Sequence, residues 1–468
     1  SRPARPLMLT ITLATALVLS TDVSLETGTQ LVYRGSVQPQ SDQGDASGKS
    51  FDLTLWILEK REGAADLFWL VDERGRGAFP WSERFGRAAL DQQWRAAGDG
   101  PALLYDRGEG RSVVPVPLPF FAADGPLKAD STHTEGELEY RVEGSDKFAD
   151  QPVWNVSMRN AFGPKRRLVV YQNTPLVPAL VEKLTMGRGE QYQLKLELVG
   201  SDKLAGESLA ALTQATEKLI TLRGKLSHPA RSEEAQWSEE QLATLQDAVP
   251  KLAEAAAGTP LERLAADAGR DLKLQSGRND SVAELVTRFN GREVEDFVAN
   301  GLGNDGLAQA DLKGKVTVLH FWDYRDEPLK EPYGQVGYLD FMYHRRKADG
   351  LQLYGVAVDG RFGAAKSRSA AERGVRRLKS FMNLSYPLLA DSGPLLKQFG
   401  DPRIVGANLP LFVVIGPDQK ILHYHVGHYP VHQDRGLKQL DDVVAKAWAD
   451  GCSVVRTVRY EQGHVERS

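Results

Sequence analysis

The N-terminal part of the chain alternates apolar and polar residues with a period of two. The clearest run places Tyr192, Leu194, Leu196 and Leu198 on one face, separated by polar residues, as in a half-buried antiparallel strand. Similar runs, separated by glycine-rich turns, occupy residues 30–37, 51–59, 67–72, 102–105, 137–142, 153–158, 167–171, 180–186 and 191–198. This pattern predicts an N-terminal antiparallel β-rich domain over residues 21–200.

The period changes after residue 200. Leu212, Leu219 and Leu226 lie seven residues apart, which is helical spacing. Ser238 followed by Gln241 has the form of a capping box that opens a further helix, and Pro250 is expected to break or kink that helix. We therefore predict a helical connecting segment over residues 201–280.

A third pattern alternates strands with helices. Strands are predicted at residues 316–322, 352–358, 411–415 and 421–426, and helices at 370–382 and 436–448. Alternating strands and helices indicate a central sheet covered on both faces. The sequence thus predicts a multidomain chain with an α/β domain at residues 281–450 and a C-terminal tail at 451–468.

Composition narrows the possible functions. A chain of 468 residues is too long for one ordinary core, which supports several domains. The formal net charge of −4 shows no excess of positive charge of the kind that nucleic-acid-binding domains have, so we predict no nucleic-acid partner. Cys452 is the one cysteine in the sequence, so no intramolecular disulfide or dithiol pair can form.

The first twenty residues have the features of an export signal. Arg2 and Arg5 precede an apolar run from Leu7 to Leu19, and small residues follow where a signal peptidase could cleave. We predict a signal peptide at residues 1–20 and an exported protein, located in the periplasm, at the envelope or outside the cell. An apolar strand or a short anchor is the alternative, and membrane contact is expected only through an uncleaved N-terminal segment.

Five pieces of the C-terminal part match a known family in the expected order. They are residues 290–297 (NGREVEDF), 311–316 (DLKGKV), 319–322 (LHFW), 351–359 (LQLYGVAVD) and 409–412 (LPLF). In this order they resemble the exported thioredoxin-like disulfide reductases of the TlpA/ResA type, which are related to the peroxiredoxins. The resemblance implies a thioredoxin fold in which Pro410 is the cis-proline before a strand.

The chain departs from this family at the catalytic motif. Where the family has two cysteines separated by two residues, this sequence has Asp326 and Leu329. Asp326, Glu327 and Pro328 also form a helix-start pattern, so one interpretation of Asp326 is a simple N-cap. The other is a recognition groove, in which Leu409 offers its backbone to a partner; its candidate residues are Trp322, Tyr324, Arg325, Asp326, Leu409 and Pro410. We predict no catalytic residue and no cofactor.

Several histidines follow the predicted groove. On a strand, His423 and His425 point to the same face, which suits shared metal ligation, with His428 close behind. The favoured interpretation is exposed hairpin histidines without a metal, which protonate between pH 5 and 8.

Two functional hypotheses remain open at the level of sequence. The first is an exported protein with a redox-inactive thioredoxin-like domain that binds a protein or peptide partner and is not an enzyme. The alternative is a TlpA-like or peroxiredoxin-like oxidoreductase that uses Cys452 or the thiols of a partner.

Overall fold

The structure is a computed structural model of the chain. It describes residues 25–40, 48–62, 64–74, 77–98, 100–107, 111–121, 123, 125–135, 138–187, 189–226, 237–303, 306–324 and 335–449. The chain divides into two compact units, Ser1–Lys273 and Leu274–Ser468.

The first unit is built on a large antiparallel sheet. Its strands and those of a separate hairpin are β1 (Thr29–Pro39), β2 (Lys49–Arg61), β3 (Ala64–Glu73), β4 (Phe85–Asp91), β5 (Ala96–Ala97), β6 (Ala102–Asp106), β7 (Arg111–Pro115), β8 (Thr132–Glu135), β9 (Leu138–Phe148), β10 (Gln151–Asn160), β11 (Gly163–Tyr171), β12 (Ala179–Met186) and β13 (Glu190–Lys203). Among the described residues eleven strands form one sheet in the order β5-β4-β3-β2-β1-β13-β12-β11-β10-β9-β8, and β6 pairs with β7. The predicted antiparallel β-rich region is confirmed.

The alternation of apolar and polar residues correctly predicts which side chains of β13 are buried in the core of this unit. Tyr192, Leu194, Leu196 and Leu198 of β13 are all buried. The sequence pattern missed β4, β5, β7 and β8, which are short or carry charged residues within the strand. Their partners in the sheet, rather than their own composition, hold them in strand conformation.

Three helices follow the sheet: α1 (Gly206–Leu226), α2 (Glu239–Ala256) and α3 (Glu262–Phe289). Leu212, Leu219 and Leu226 are buried in one cluster with Trp56 and Phe68 of the sheet. The helices of the predicted connecting segment thus pack on the sheet of the first unit. Moreover, α3 continues past residue 280, the predicted boundary of the next domain.

The start of α2 is confirmed but its interruption is not. Gln241 N donates to Ser238 Oγ (3.2 Å) and Ser238 N donates to Gln241 Oε1 (2.9 Å), which completes the capping box. The helix runs through Pro250 to Ala256. Proline removes one backbone hydrogen bond, but the neighbouring Val249 and Leu252 are buried and keep this stretch packed.

The second unit contains a smaller mixed sheet. Its elements are β14 (Val298–Ala299), β15 (Leu307–Ala308), β16 (Thr317–Asp323), α4 (Val336–Arg346), β17 (Gln352–Val358), α5 (Ala365–Phe381), β18 (Leu388–Asp391), α6 (Pro394–Gln398), β19 (Leu411–Ile415), β20 (Ile421–Val426) and a last helix α7 over residues 438–449. Five described strands lie in the order β18-β17-β16-β19-β20. β17 is parallel to β16 and β18, whereas β19 is antiparallel to β16 and β20.

Both faces of this sheet are covered, as the alternation of elements predicted. One face packs with Leu339 of α4, Val375 of α5 and Val444 of α7. The other packs with Leu396 of α6 and with Phe297, which precedes the sheet. The central strand β16 is therefore buried and apolar along most of its length. Its last residue, Asp323, is the first charged side chain at the carboxyl end of the strand.

Among the described residues, no helix is both long enough and apolar enough to cross a membrane.

Candidate functional site

The candidate site lies at the carboxyl end of β16. Trp322 is 1% exposed and Tyr324 is 9% exposed, so both side chains belong to the core. Their rings meet edge to face, with centroids 5.8 Å apart and planes at 84°. As candidate groove residues they were predicted to contact a partner, but both side chains are buried in the core cluster on the α4, α5 and α7 face of the sheet.

Arg325 and Asp326, the next two candidates, lie outside the described residues. The same holds for the helix-start pattern at Asp326 to Pro328 and for Cys452. Their proposed roles stay predictions.

Leu409 and Pro410 lie beside the end of β16. The Leu409–Pro410 peptide bond is cis, as the resemblance implied. Pairing between β16 and β19 ends at Phe321 and Leu411, although β16 continues to Asp323. Gly427 N donates to Pro410 O (2.7 Å), which ties this turn to the end of β20. Leu409 thus occupies the position next to Asp323 where the ladder has stopped.

A charged network borders the same end of β16. Arg403 Nη1 donates to Asp323 Oδ1 (3.0 Å), and Arg403 Nη2 donates to Asp401 Oδ2 (2.8 Å). Burial favours the neutral acid, but the hydrogen bonds and charge of Arg403 outweigh it and lower the pKa of Asp401. Next to this network Ile404 is 74% exposed. The rim of the site therefore combines fixed charges with one open apolar side chain.

The start of α4 is joined to the segment after β20. Gln335 precedes α4 with φ of 63° and is 2% exposed. Its Nε2 donates to Tyr429 O (2.7 Å), and its Oε1 accepts from Tyr429 N (2.9 Å). This pair satisfies both backbone groups of a buried residue.

The histidines of β20 pack around Tyr429. His423 and His425 share one face, as predicted, with ring centroids 6.2 Å apart and planes at 7°. His423 Nε2 lies 2.7 Å from Tyr429 Oη, and the His425 ring stacks on Tyr429 with centroids 4.0 Å apart. These two histidines are half-buried, whereas His428 is exposed. The expectation of exposed hairpin histidines is thus wrong for His423 and His425.

Burial changes how these histidines titrate. Burial lowers the pKa of His423. Burial and the neighbouring His423 lower the pKa of His425 to about 4, although a hydrogen bond to the His428 backbone opposes this. His425 is therefore neutral between pH 5 and 8, and the expected protonation in that range is wrong for this residue. Among the described residues no group of three or more histidine, cysteine or acidic side chains is arranged to hold a metal ion.

Residues 290–424 match the sequence model of the AhpC/TSA family. The thiol-disulfide oxidoreductase ResA of Bacillus cereus is 24% identical over 153 residues, covering 32% of this chain and 76% of that protein. The ResA of Bacillus anthracis is 26% identical over 155 residues, covering 32% and 78%. Among solved structures, a secreted disulfide oxidoreductase of Mycobacterium tuberculosis is 19% identical with a TM-score of 0.24. The alignment covers 32% of this chain and 95% of that protein.

The C-terminal third is a thioredoxin-like domain. The matched stretch of this thioredoxin-like domain, residues 290–424, contains no cysteine. The candidate site contains a cis-proline turn and a charged rim, and a histidine–tyrosine cluster lies on and just after β20.

Sequence reasoning missed several residues of this site. Gln335 and Tyr429 are 94 residues apart, and Asp323 and Arg403 are 80 apart. No local pattern marks such pairs, because a glutamine before a helix or an arginine in a turn is common. The one available signal was their position, since Asp323 ends the predicted central strand.

Proposed function

We propose that the chain is an exported protein whose thioredoxin-like domain binds an extended segment of a protein or peptide partner without catalysing dithiol exchange. Such exchange needs an attacking and a resolving thiol. The sequence has Cys452 alone, outside the stretch that matches the AhpC/TSA family. The alternative oxidoreductase function would require Cys452 or the thiols of a partner.

The backbone of Leu409 is the observation that carries the binding proposal. The β16–β19 ladder ends at Leu411, and within the described part of the chain the Leu409 backbone makes no hydrogen bond. An extended peptide can add to such unpaired backbone groups as an extra strand. Specificity then comes from side chains next to the ladder.

The rim supplies those side chains. Ile404 is 74% exposed and Asn408 is exposed, and both precede Leu409 in the same turn region. Arg403 is held in place by Asp323 and Asp401. We propose that Ile404 provides apolar contact area. Trp322 and Tyr324 are buried in the core cluster on the opposite face of the sheet from the cluster of Leu409, and in this proposal they do not touch the partner.

A reductase assay tests the non-catalytic part. We expect purified full-length protein to give no dithiothreitol-dependent reduction of insulin above the uncatalysed rate. Turnover that disappears in Cys452→Ser would support the alternative oxidoreductase function. Turnover that survives in Cys452→Ser would contradict the non-catalytic proposal and exclude Cys452 as the reactive group.

Site-specific photo-crosslinking tests the binding part. A photoreactive amino acid is introduced at Asn408, and in a second variant at Val298, which is 82% exposed in the same unit and serves as the control. In the native host we expect a defined crosslinked product from position 408 only, and its loss when Ile404→Asp is added. The same products from both positions would contradict a binding site beside Leu409.

Export is tested separately. The motivating observation is the arginine-led apolar run over residues 1–20. We expect the mature protein from a native host to begin at or near Thr21. Intact-mass measurement that finds residues 1–20 retained on a cytosolic protein would refute export.

A further inference from the structure

The first unit contains a large open cavity that the proposed function does not use. Its volume is about 1770 Å³, above the roughly 300–1,000 Å³ usual for small-molecule sites. Its walls come from β4, the end of β7, the β10–β11 turn, β12 and the last turns of α1. All of these elements belong to the first unit.

One side of the cavity is an opening between two hairpins. β11 and β12 pair only from Arg166–Glu182 to Val169–Ala179. The β10–β11 hairpin continues to Asn160–Gly163, and the β12–β13 hairpin continues to Met186–Glu190. Beyond Arg166–Glu182 the two hairpin ends share no pairs within the described residues, and both line the cavity.

The wall is poorly suited to a peptide strand. Four of its residues are prolines, Pro101, Pro115, Pro117 and Pro164. Proline has no amide hydrogen and is a residue that protects strand edges from pairing. Val113, Leu184 and Ile220 add aliphatic surface. Such a wall is better suited to contact with a hydrocarbon chain than to backbone hydrogen bonding with a peptide strand.

The charged lining has an excess of cations. Two carboxylates, Glu83 and Glu182, face five cationic residues, Arg87, Lys165, Arg166, Lys183 and Arg223. Arg166 Nη2 donates to Glu182 Oε2 (2.7 Å), and Arg223 Nη2 lies 3.8 Å from Glu83 Oε2. Lys165 Nζ also lies 3.9 Å from Glu182 Oε1, and Arg87 pairs with Asp66 outside the lining. The five cations therefore exceed these three carboxylates by two charges, and this surplus favours an anionic group.

A buried hydroxyl also lines the cavity. Ser82 is 1% exposed, and its Oγ has no hydrogen-bond partner within the described part of the chain. Buried polar groups normally have a partner. A water molecule or an oxygen of a bound molecule would satisfy this hydroxyl.

The tip of the β10–β11 hairpin stands at the mouth of the cavity. Phe162 is 97% exposed. Residues 159–167 around it include no acidic residue and four cationic ones, Arg159, Lys165, Arg166 and Arg167. An exposed aromatic ring among cations suits a surface with an apolar interior and anionic head groups.

We propose that this cavity binds an anionic amphiphile, an acyl chain joined to a carboxylate or phosphate head group. The acyl chain lies against Val113, Leu184 and Ile220, and the head group meets Lys165 and Lys183 at the mouth. A free fatty acid and a membrane phospholipid share this chemistry, and the experiment has one arm for each source.

In the first arm, a fatty acid labelled with nitrobenzoxadiazole is titrated into full-length protein and displaced with oleate. We expect Lys165→Glu/Lys183→Glu to weaken binding by about tenfold. Lys147→Glu/Lys195→Glu changes the net charge equally at exposed positions outside the cavity and should leave binding within about twofold. Equal binding by both variants would overturn the site, provided that their thermal unfolding temperatures match.

In the second arm, the protein is sedimented with vesicles of phosphatidylglycerol or phosphatidylcholine. Phe381→Ser is the control, because Phe381 is 75% exposed in the second unit. If Phe162→Ser abolishes binding to phosphatidylglycerol vesicles and Phe381→Ser does not, the membrane is the source of the amphiphile. Oleate binding without vesicle binding supports the same cavity with a free fatty acid. Failure of the labelled fatty acid and of both vesicles, or equal binding to both vesicles, overturns the proposal.

Discussion

The side-chain amide of Gln335 and the backbone of Tyr429 form two hydrogen bonds that join the start of α4 to the segment after β20. Gln335→Leu would leave the N–H and C=O of a buried residue without these partners. We expect the free energy of unfolding to fall by about 2–4 kcal/mol, because each buried unsatisfied group costs about 1–3 kcal/mol. Urea denaturation measures the change. Gln433→Leu, at an exposed position, is the control, and an equal loss in both variants would contradict the role of Gln335.

The titration of His425 predicts acid sensitivity. Its pKa is lowered from 6.5 to about 4 in the folded protein. Above about pH 6.5 it is neutral in both states, and its contribution to stability is complete. As the pH falls towards 4 the unfolded chain gains a proton first, so stability is lost, by about 2 kcal/mol near pH 5.

The measurement is the pH dependence of unfolding between pH 7 and 4.5 for wild type and His425→Gln. The variant should lose less stability over this range than wild type. His432→Gln, at an exposed position, should follow wild type. Parallel curves for wild type and His425→Gln would show that His425 is not the sensitive group.

A buried ion pair in the first unit should be costly to break. Lys49 Nζ contacts Glu73 Oε2, and the two side chains are 5% and 0% exposed. Glu73 also accepts from Phe79 N and Leu104 N, both at 3.2 Å. Lys49→Met leaves a buried carboxylate without its counter-charge and should cost about 3–5 kcal/mol.

Lys49→Met/Glu73→Leu is the matched comparison for this pair. Because it removes both charges, it should be more stable than Lys49→Met in chemical denaturation. A double variant that is as unstable as the sum of the two single variants would show that the charges are not coupled.

Gly400 should tolerate no side chain. Its φ is +82°, and a Cβ there would lie 2.4 Å from Phe289 Cε2, on the ring that stacks on Tyr424 with centroids 5.2 Å apart. Gly406 has φ of +78° but nothing within 4 Å of its Cβ position. Gly400→Ala should therefore destabilise by about 1–3 kcal/mol more than Gly406→Ala, because only the first adds overpacking to backbone strain. Thermal unfolding of both variants measures the difference.

Many secondary-structure elements could be predicted from the sequence because the local spacing of apolar residues defines them. Gln352–Val358, Leu411–Ile415 and Ile421–Val426 have the bounds that the pattern predicted. β18 and the start of α4 at Val336 were missed, because their strand or helix signals are short. The helical pattern of the sequence runs to about Phe289, the last residue of α3, whereas the predicted domain boundary at residue 280 lies inside this helix.

The candidate site was predicted less well. The order of the motifs correctly identified Pro410 as a cis-proline, and the alternation of side chains along a strand correctly placed His423 and His425 on one face. Accessibility could not be predicted, since Trp322 and Tyr324 are as compatible with a groove as with a core until their neighbours are known. The pKa of His425 depends on the same burial.

The sequence by itself determined which residues can form strands and helices, the order of the thioredoxin-like elements and the presence of a single cysteine. These are properties of neighbours along the chain, within reach of backbone hydrogen bonding and hydrophobic alternation. Only the tertiary structure decided that Gln335 meets Tyr429, that Asp323 meets Arg403 and that α1 closes a cavity beside two separated hairpins. Those contacts join residues far apart in sequence, and their energies come from desolvation and geometry, which exist only once the chain has packed.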